Sequence, residues 1–220
     1  MAPLKLYGMP LSPNVVRVAT VLNEKGLDFE IVPVDLTTGA HKQPDFLALN
    51  PFGQIPALVD GDEVLFESRA INRYIASKYA SEGTDLLPAT ASAAKLEVWL
   101  EVESHHFYPN RVAAGVPAAR EAAPGRRPDA AVVDKHAEQL AKVLDVYERT
   151  SPATSTSPGT SSRSPTPTTR SYLLYLSKTP RPARRRPPHV KAWWEAIVAR
   201  PAFQKTVAAI PLPPPPSSSA

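Results

Sequence analysis

The chain has 220 residues and not one cysteine. That absence excludes a structural disulfide, a thiolate zinc site and a protein thiol nucleophile, so any sulfur chemistry must use a ligand's thiol. Long apolar runs are missing as well. No stretch approaches the roughly 20 residues that a membrane-spanning helix requires. The opening Met1-Ala2-Pro3-Leu4-Lys5 has no apolar signal core and leads directly into a strand, which makes the cytoplasm the expected compartment. Acidic residues are absent between 149 and 188, where seven Arg and one Lys contribute +8. The rest of the chain holds 17 basic and 21 acidic residues, a formal −4, so the overall +4 comes from one segment. No recognition helix accompanies that charge, and no nucleic-acid partner is expected. His105, His106 and His136 lack a carboxylate or thiolate set at ligand spacing, and no metal is expected.

What is present divides in two. Leu4-Lys5-Leu6-Tyr7 alternates as a strand, and Ser12-Pro13 gives an N-cap with Pro at the first helical position. Val15, Val16, Val18, Ala19 and Leu22 continue that helix to Gly26. Phe29 to Val34 reads as a second strand whose Pro33 suits a sheet edge. Ala57–Asp60 and Val64–Phe66 form a hairpin around Asp60-Gly61-Asp62. Ile71, Tyr74, Ile75 and Tyr79 mark a helix after Ser68. The order βαβ, helix, ββ, helix predicts a thioredoxin-like α/β domain over 1–81, its first two strands parallel across a helix. A linker over 82–88 leads to an all-α helical domain over 89–210. Its helices are marked by Leu96, Trp99, Leu100 and Glu103, by Val132 through Tyr147, and by Val190 through Val198. The Pro/Ser-rich tail 211–220 reads as polyproline II or disordered.

The densest chemical signal is Asn50-Pro51-Phe52-Gly53-Gln54-Ile55-Pro56-Ala57-Leu58 followed by Phe66-Glu67-Ser68-Arg69-Ala70-Ile71. Ile55-Pro56 stands at a strand entrance, where a cis bond would turn the Ile55 backbone toward an incoming peptide. Glu67-Ser68 stands where a helix offers free N–H groups to a carboxylate. Together they predict a groove for a small charged peptide.

This wording resembles the glutathione transferases from Met1 to about Ser81, and the Ser12 segment with His41-Lys42 narrows the resemblance to the plant phi class. The resemblance implies a transferase that uses reduced glutathione as co-substrate, with no permanently bound cofactor and with hydrophobic electrophiles such as herbicides as second substrates. It assigns catalysis to Ser12, by hydrogen bonding to the thiolate. Taken alone, Ser12 reads as an ordinary N-cap, and it is the resemblance that turns the reading to catalysis. His41 and Lys42 would hold the glycine carboxylate, although alone they read as a solvated loop. Gln54 would meet the γ-glutamyl end, Ile55 would pair its backbone with the cysteinyl unit, and Ser68 would bind the γ-glutamyl carboxylate. Glu67 would serve the γ-glutamyl ammonium, or else only a helix dipole. Met9, Leu11, Pro13 and Leu36 would face the electrophile, with the helix around His106 and Phe107 opposite. The partner implied is a second copy of the chain, with Phe52 at the interface. Glutathione-dependent peroxide reduction on the same site and a non-catalytic carrier of hydrophobic ligands are the competing readings.

Two stretches depart from that family. Residues 149–188 hold eight Ser, eight Thr and eight Pro, and 111–127 is rich in Arg, Ala and Pro. Neither composition suits the apolar helices the resemblance implies. The family motif there is Tyr-Leu-Ala-Gly-Asp, three residues, then Leu-Ala-Asp. In GC-rich codons read one nucleotide late, these become Thr-Ser-Pro-Gly-Thr and Ser-Pro-Thr, which stand at 156–160 and 164–166. Both stretches are therefore expected to be frame-shifted readings of helix-coding DNA, with a disordered basic insertion as the competing reading.

Overall fold

The computed structural model describes residues 3–87, 90–113, 130–150 and 187–210. Strand β1 (Leu4–Gly8) leads into α1 (Pro13–Glu24) and returns as β2 (Phe29–Pro33). A short turn at Ala40–Lys42 and the four-residue α2 (Pro44–Leu47) follow. The hairpin β3 (Ala57–Asp60) and β4 (Glu63–Phe66) then delivers the chain into α3 (Ser68–Lys78). The sheet order is β2-β1-β3-β4, with β1 and β2 parallel and the other pairs antiparallel. Pro33 thus sits on an edge strand, where its missing N–H leaves no partner unsatisfied. This is the thioredoxin-like arrangement expected from the pattern.

The core beneath the sheet joins Leu4, Leu6 and Leu58 to Val15, Val18 and Leu22 of α1 and to Ile71 and Ile75 of α3. These are the apolar positions of the two helices at 3–4 spacing, so α1 and α3 cover one sheet face side by side.

The helical half begins with α4 (Thr90–Val102), which passes through a π turn at Glu103–Phe107 into α5 (Tyr108–Ala113). Helix α6 (Ala130–Thr150) packs its Leu140, Leu144 and Tyr147 against Val190, Trp194 and Ile197 of α7 (Pro188–Val198). Trp99 and Tyr147 bring their rings to 4.9 Å. A further helix, α8 (Pro201–Ala208), was not foreseen. Arg200-Pro201 reads as a stop, yet Pro is equally suited to the first turn of a new helix. The stretches predicted to be frame-shifted fall outside the described residues except at 111–113, 149–150 and 187–188, and the tail 211–220 lies outside them altogether. No described helix is long and apolar enough to cross a membrane.

Candidate active site

Backbone hydrogen bonds close the turn between β1 and α1. The Ser12 N–H donates to the Met9 carbonyl at 2.8 Å, and the Ser12 carbonyl accepts from the Val16 N–H at 2.9 Å. Ser12 stands at the N-cap position with extended backbone (φ −71°, ψ 127°), yet its side chain makes no capping hydrogen bond. An N-cap serine ordinarily spends its oxygen on an N–H of the first turn. Here the hydroxyl, in a residue only 7% exposed, is left to another partner beside the positive end of a helix.

The second component is a loop pair. Asp35 shapes its entrance by accepting from the Thr37 N–H at 2.8 Å and the Thr37 hydroxyl at 2.6 Å. Those bonds hold its carboxyl below the usual carboxylate range. The chain then reaches His41, which is buried, and Lys42, which is exposed. Lys42 donates from Nζ to the Phe52 carbonyl at 2.9 Å. Buried Asn50 organises the facing loop, accepting from the Phe52 N–H at 3.0 Å and donating to the Gln54 carbonyl at 2.6 Å. Gly53 has φ +58°, and a Cβ there would lie 2.6 Å from the His41 carbonyl oxygen. Only glycine lets the two loops approach so closely. His41, Lys42 and Gln54 therefore share one rim, and Ile55-Pro56, which is cis, carries that rim into β3.

The third component is the start of α3. Glu67 adopts φ 66°, the one positive value at a non-glycine among the described residues. Such backbone costs on the order of 1–3 kcal/mol and clusters at ligand sites. Its carboxylate side chain is exposed, while Ser68 is 5% exposed. Behind Ser68 lies a buried ionic group that the sequence pattern did not disclose. Arg17, on the α1 turn after Ser12 and with no exposed surface, donates to the Ser68 Oγ at 2.7 Å and to the Glu103 carboxylate at 3.1 Å. Glu103, equally inaccessible, also accepts from Arg69 Nε at 2.6 Å.

A guanidinium can only donate, so the Ser68 oxygen is the acceptor and its proton must point elsewhere. Two arginines and one glutamate leave the cluster with a surplus positive charge. That combination favours a carboxylate in front of Ser68, where the α3 N-terminus adds its own N–H groups.

The remaining predicted positions scatter. Met9, Leu11 and Leu36 are half-buried near the β1–α1 turn and Pro13 is buried, whereas Phe107 belongs to the helical core and His106 is exposed. His105 lies beside Glu101, and His136 pairs with Asn110 at 2.9 Å. Among the described residues no group could hold a metal ion.

Residues 2–77 match the model of the glutathione S-transferase N-terminal domain. Over 227 aligned residues, spanning 100% of both proteins, the chain is 75% identical to glutathione S-transferase 3 of Zea mays. It superposes on the structure of glutathione S-transferase III in apo form with a TM-score of 0.83 at 77% identity, covering 98% of this chain and 100% of that one. The structure of glutathione S-transferase I from maize in complex with an atrazine glutathione conjugate gives 0.80 at 40% identity, over 94% and 97%.

Proposed function

The chain belongs to the glutathione S-transferase family, in its plant phi class, and on that premise we propose that it joins reduced glutathione to hydrophobic electrophiles through a thiolate held by Ser12. A free cysteine thiol has a pKa of about 8.5, so only a few per cent is ionised at pH 7. Lowering it by about two units requires roughly 2.7 kcal/mol of preferential stabilisation of the anion. The Ser12 hydroxyl donates to the sulfur, and the α1 N-terminus favours its negative charge. Ser12 acts as a hydrogen-bond donor, not as a covalent nucleophile. The thiol proton passes to solvent, and the thiolate attacks an electrophilic carbon. With an aryl chloride the S–C bond forms, the C–Cl bond breaks, and chloride leaves with its electron pair.

The supporting observation is the unspent Ser12 hydroxyl at the start of the same helix whose next turn, through Arg17, backs the Ser68 carboxylate site. In this reading Ser68 receives the γ-glutamyl carboxylate, Glu67 its ammonium, and Gln54 and the Ile55 backbone the peptide. His41 and Lys42 take the glycine carboxylate. The atrazine conjugate held by the maize relative supports chlorinated heteroaromatic herbicides as electrophiles, hence a detoxifying role in the cytoplasm. Phe52, 65% exposed and edge-on to Phe66 at 6.0 Å, would insert into a second copy of the chain. A sedimentation mass of one chain would remove that part of the proposal.

The test is conjugation of glutathione to a chlorinated nitrobenzene by wild type and Ser12→Ala. Loss of one charge-stabilising donor should lower kcat about 100-fold, with a smaller effect on glutathione affinity. Conjugation by Ser12→Ala as fast as by wild type would refute thiol activation. A carrier of hydrophobic ligands would bind them with no turnover to lose.

A further inference from the structure

Helix α1 holds Ser12 at one end, and its other end is fastened to the helical half. Glu24 is 6% exposed, and its carboxylate accepts from Arg200 Nε at 2.5 Å and Nη2 at 2.6 Å, a two-pronged pairing. The same carboxylate accepts from the Thr84 hydroxyl at 3.0 Å, while the Glu24 carbonyl accepts from the Thr84 N–H at 2.8 Å. Its neighbours reinforce the attachment. Asn23 Nδ2 donates to Thr206 Oγ1 of α8 at 2.9 Å, and Lys25 Nζ donates to the Glu82 carbonyl at 3.1 Å. Gly83 lies so close beneath that a Cβ would stand 2.5 Å from the Glu24 carbonyl oxygen. Three consecutive side chains thus grip the 80–84 connection and the α7–α8 corner.

The gripped surface continues toward the reacting end. A narrow crevice of about 30 Å³ runs between α1, β2 and α8, lined by Val16, Ala19 and Phe29 on one side and Ala209 and Ile210 on the other. Pro10, in the turn just before Ser12, also lines it. The segment from Arg200 to Ile210 therefore lies along α1, from Glu24 toward the turn that holds the catalytic hydroxyl. That distance is about 18 Å at the rise of an α-helix. By contrast, Lys42, Gln54 and Ser68 stand on elements of the first half, and the helical half reaches behind Ser68 through Glu103, at the turn after α4 and apart from the α7–α8 corner. A shift of the α7–α8 corner along α1 would alter what lies beside the Ser12 turn without moving Lys42, Gln54 or Ser68.

We propose that Glu24 is a positioning residue whose grip on Arg200 and Thr84 sets the placement of the α7–α8 corner beside the Ser12 turn, and so controls electrophile use without controlling glutathione binding. The inference rests on the transferase reading above.

The experiment measures KM for both substrates and kcat in wild type, Glu24→Gln and Arg200→Lys, with amide hydrogen exchange of 80–84 and 200–208. Glu24→Gln keeps the volume but removes the charge. It should raise KM for a chlorinated nitrobenzene about tenfold, because small misplacements at a reacting centre are costly. KM for glutathione should change less than about twofold, and exchange should quicken in both segments. Arg200→Lys, which keeps one ion pair, should give an intermediate electrophile KM. If Glu24→Gln does not fold, Arg200→Lys and Arg200→Gln carry the test, since Arg200 is the more exposed partner. Equal changes in both KM values, or none, in a folded variant would overturn the inference while leaving conjugation by Ser12 intact. A wild type that binds glutathione but conjugates nothing would overturn the transferase reading, and this inference with it.

Discussion

A guanidinium with no exposed surface must be surrounded by acceptors, and Arg17 draws them from its own helix, from α3 and from the π turn after α4. Nothing in its local sequence announces this. Arg17 interrupts the apolar run from Val15 to Leu22, and Glu103 shares a stripe with Leu96, Trp99 and Leu100. A charge inside an apolar stripe was the available signal. Its meaning depends on a partner 86 positions away, which periodicity does not encode. Ser12, His41, Lys42, Gln54, Glu67 and Ser68 were proposed from the resemblance, whose short motifs fix where such positions fall in the chain; the pairing behind Ser68 has no such motif. For Glu103→Gln, the cluster behind Ser68 loses the carboxylate that pairs with both arginines while keeping its shape. Arg17 and Arg69 then repel across a buried site, at a cost on the order of 3 kcal/mol of stability. The hold of Arg17 on Ser68 loosens, and KM for glutathione should rise about tenfold with kcat at saturation little changed. Calorimetric titration with glutathione checks this, and an unchanged affinity would show that the cluster serves folding alone.

At the level of elements, strands and α1 followed directly from alternation, Pro placement and apolar spacing, because each fits one face of one sheet. The α7–α8 corner did not, since Pro201 both ends one helix and begins the next. The hairpin shows how an element is fastened. Asp60, at the end of β3, accepts from Tyr74 at 2.9 Å, Lys78 at 2.8 Å and Tyr79 at 2.9 Å, all through one oxygen. Burial pushes its pKa up, but the hydrogen bonds from Lys78, Tyr79 and Tyr74 outweigh burial and hold it below 3.8. A carboxyl depressed in the folded state stabilises fully above its unfolded pKa, and that stabilisation is lost as pH falls through the folded value. Asp60→Asn should therefore lower stability by about 1 kcal/mol near pH 7, given that Lys78 is half in water. The gap between the two melting temperatures should begin to narrow as pH drops below about 4, where the unfolded carboxyl takes up its proton, and should close below the lower folded value, where wild-type Asp60 is itself neutral. A gap independent of pH would mean that the carboxylate charge contributes nothing and only the shape matters.

The whole molecule carries its charge unevenly, and that unevenness is the strongest reason to question part of the sequence itself. The helical core of the described residues comes from Phe107, Leu140, Leu144, Tyr147, Val190, Trp194, Ile197 and Phe203. A full-length relative at 75% identity has the same overall span, so the two departing stretches replace ordinary sequence rather than add to it. A shift of one nucleotide and its later reversal would do this, converting apolar and acidic codons into Ser, Thr, Pro and Arg codons. Restoring the frame removes most of the +8 between 149 and 188, and the remaining 17 basic and 21 acidic residues then dominate. The natural protein should accordingly focus on the acidic side of neutrality, and its intact mass should differ from that of the printed chain. Protease digestion supplies the decisive arm. Recovery of a peptide containing Thr156-Ser157-Pro158-Gly159-Thr160 from the natural protein would establish the printed sequence and end the frame-shift account. Peptides reading Tyr-Leu-Ala-Gly-Asp in its place would return an apolar helix to the second half.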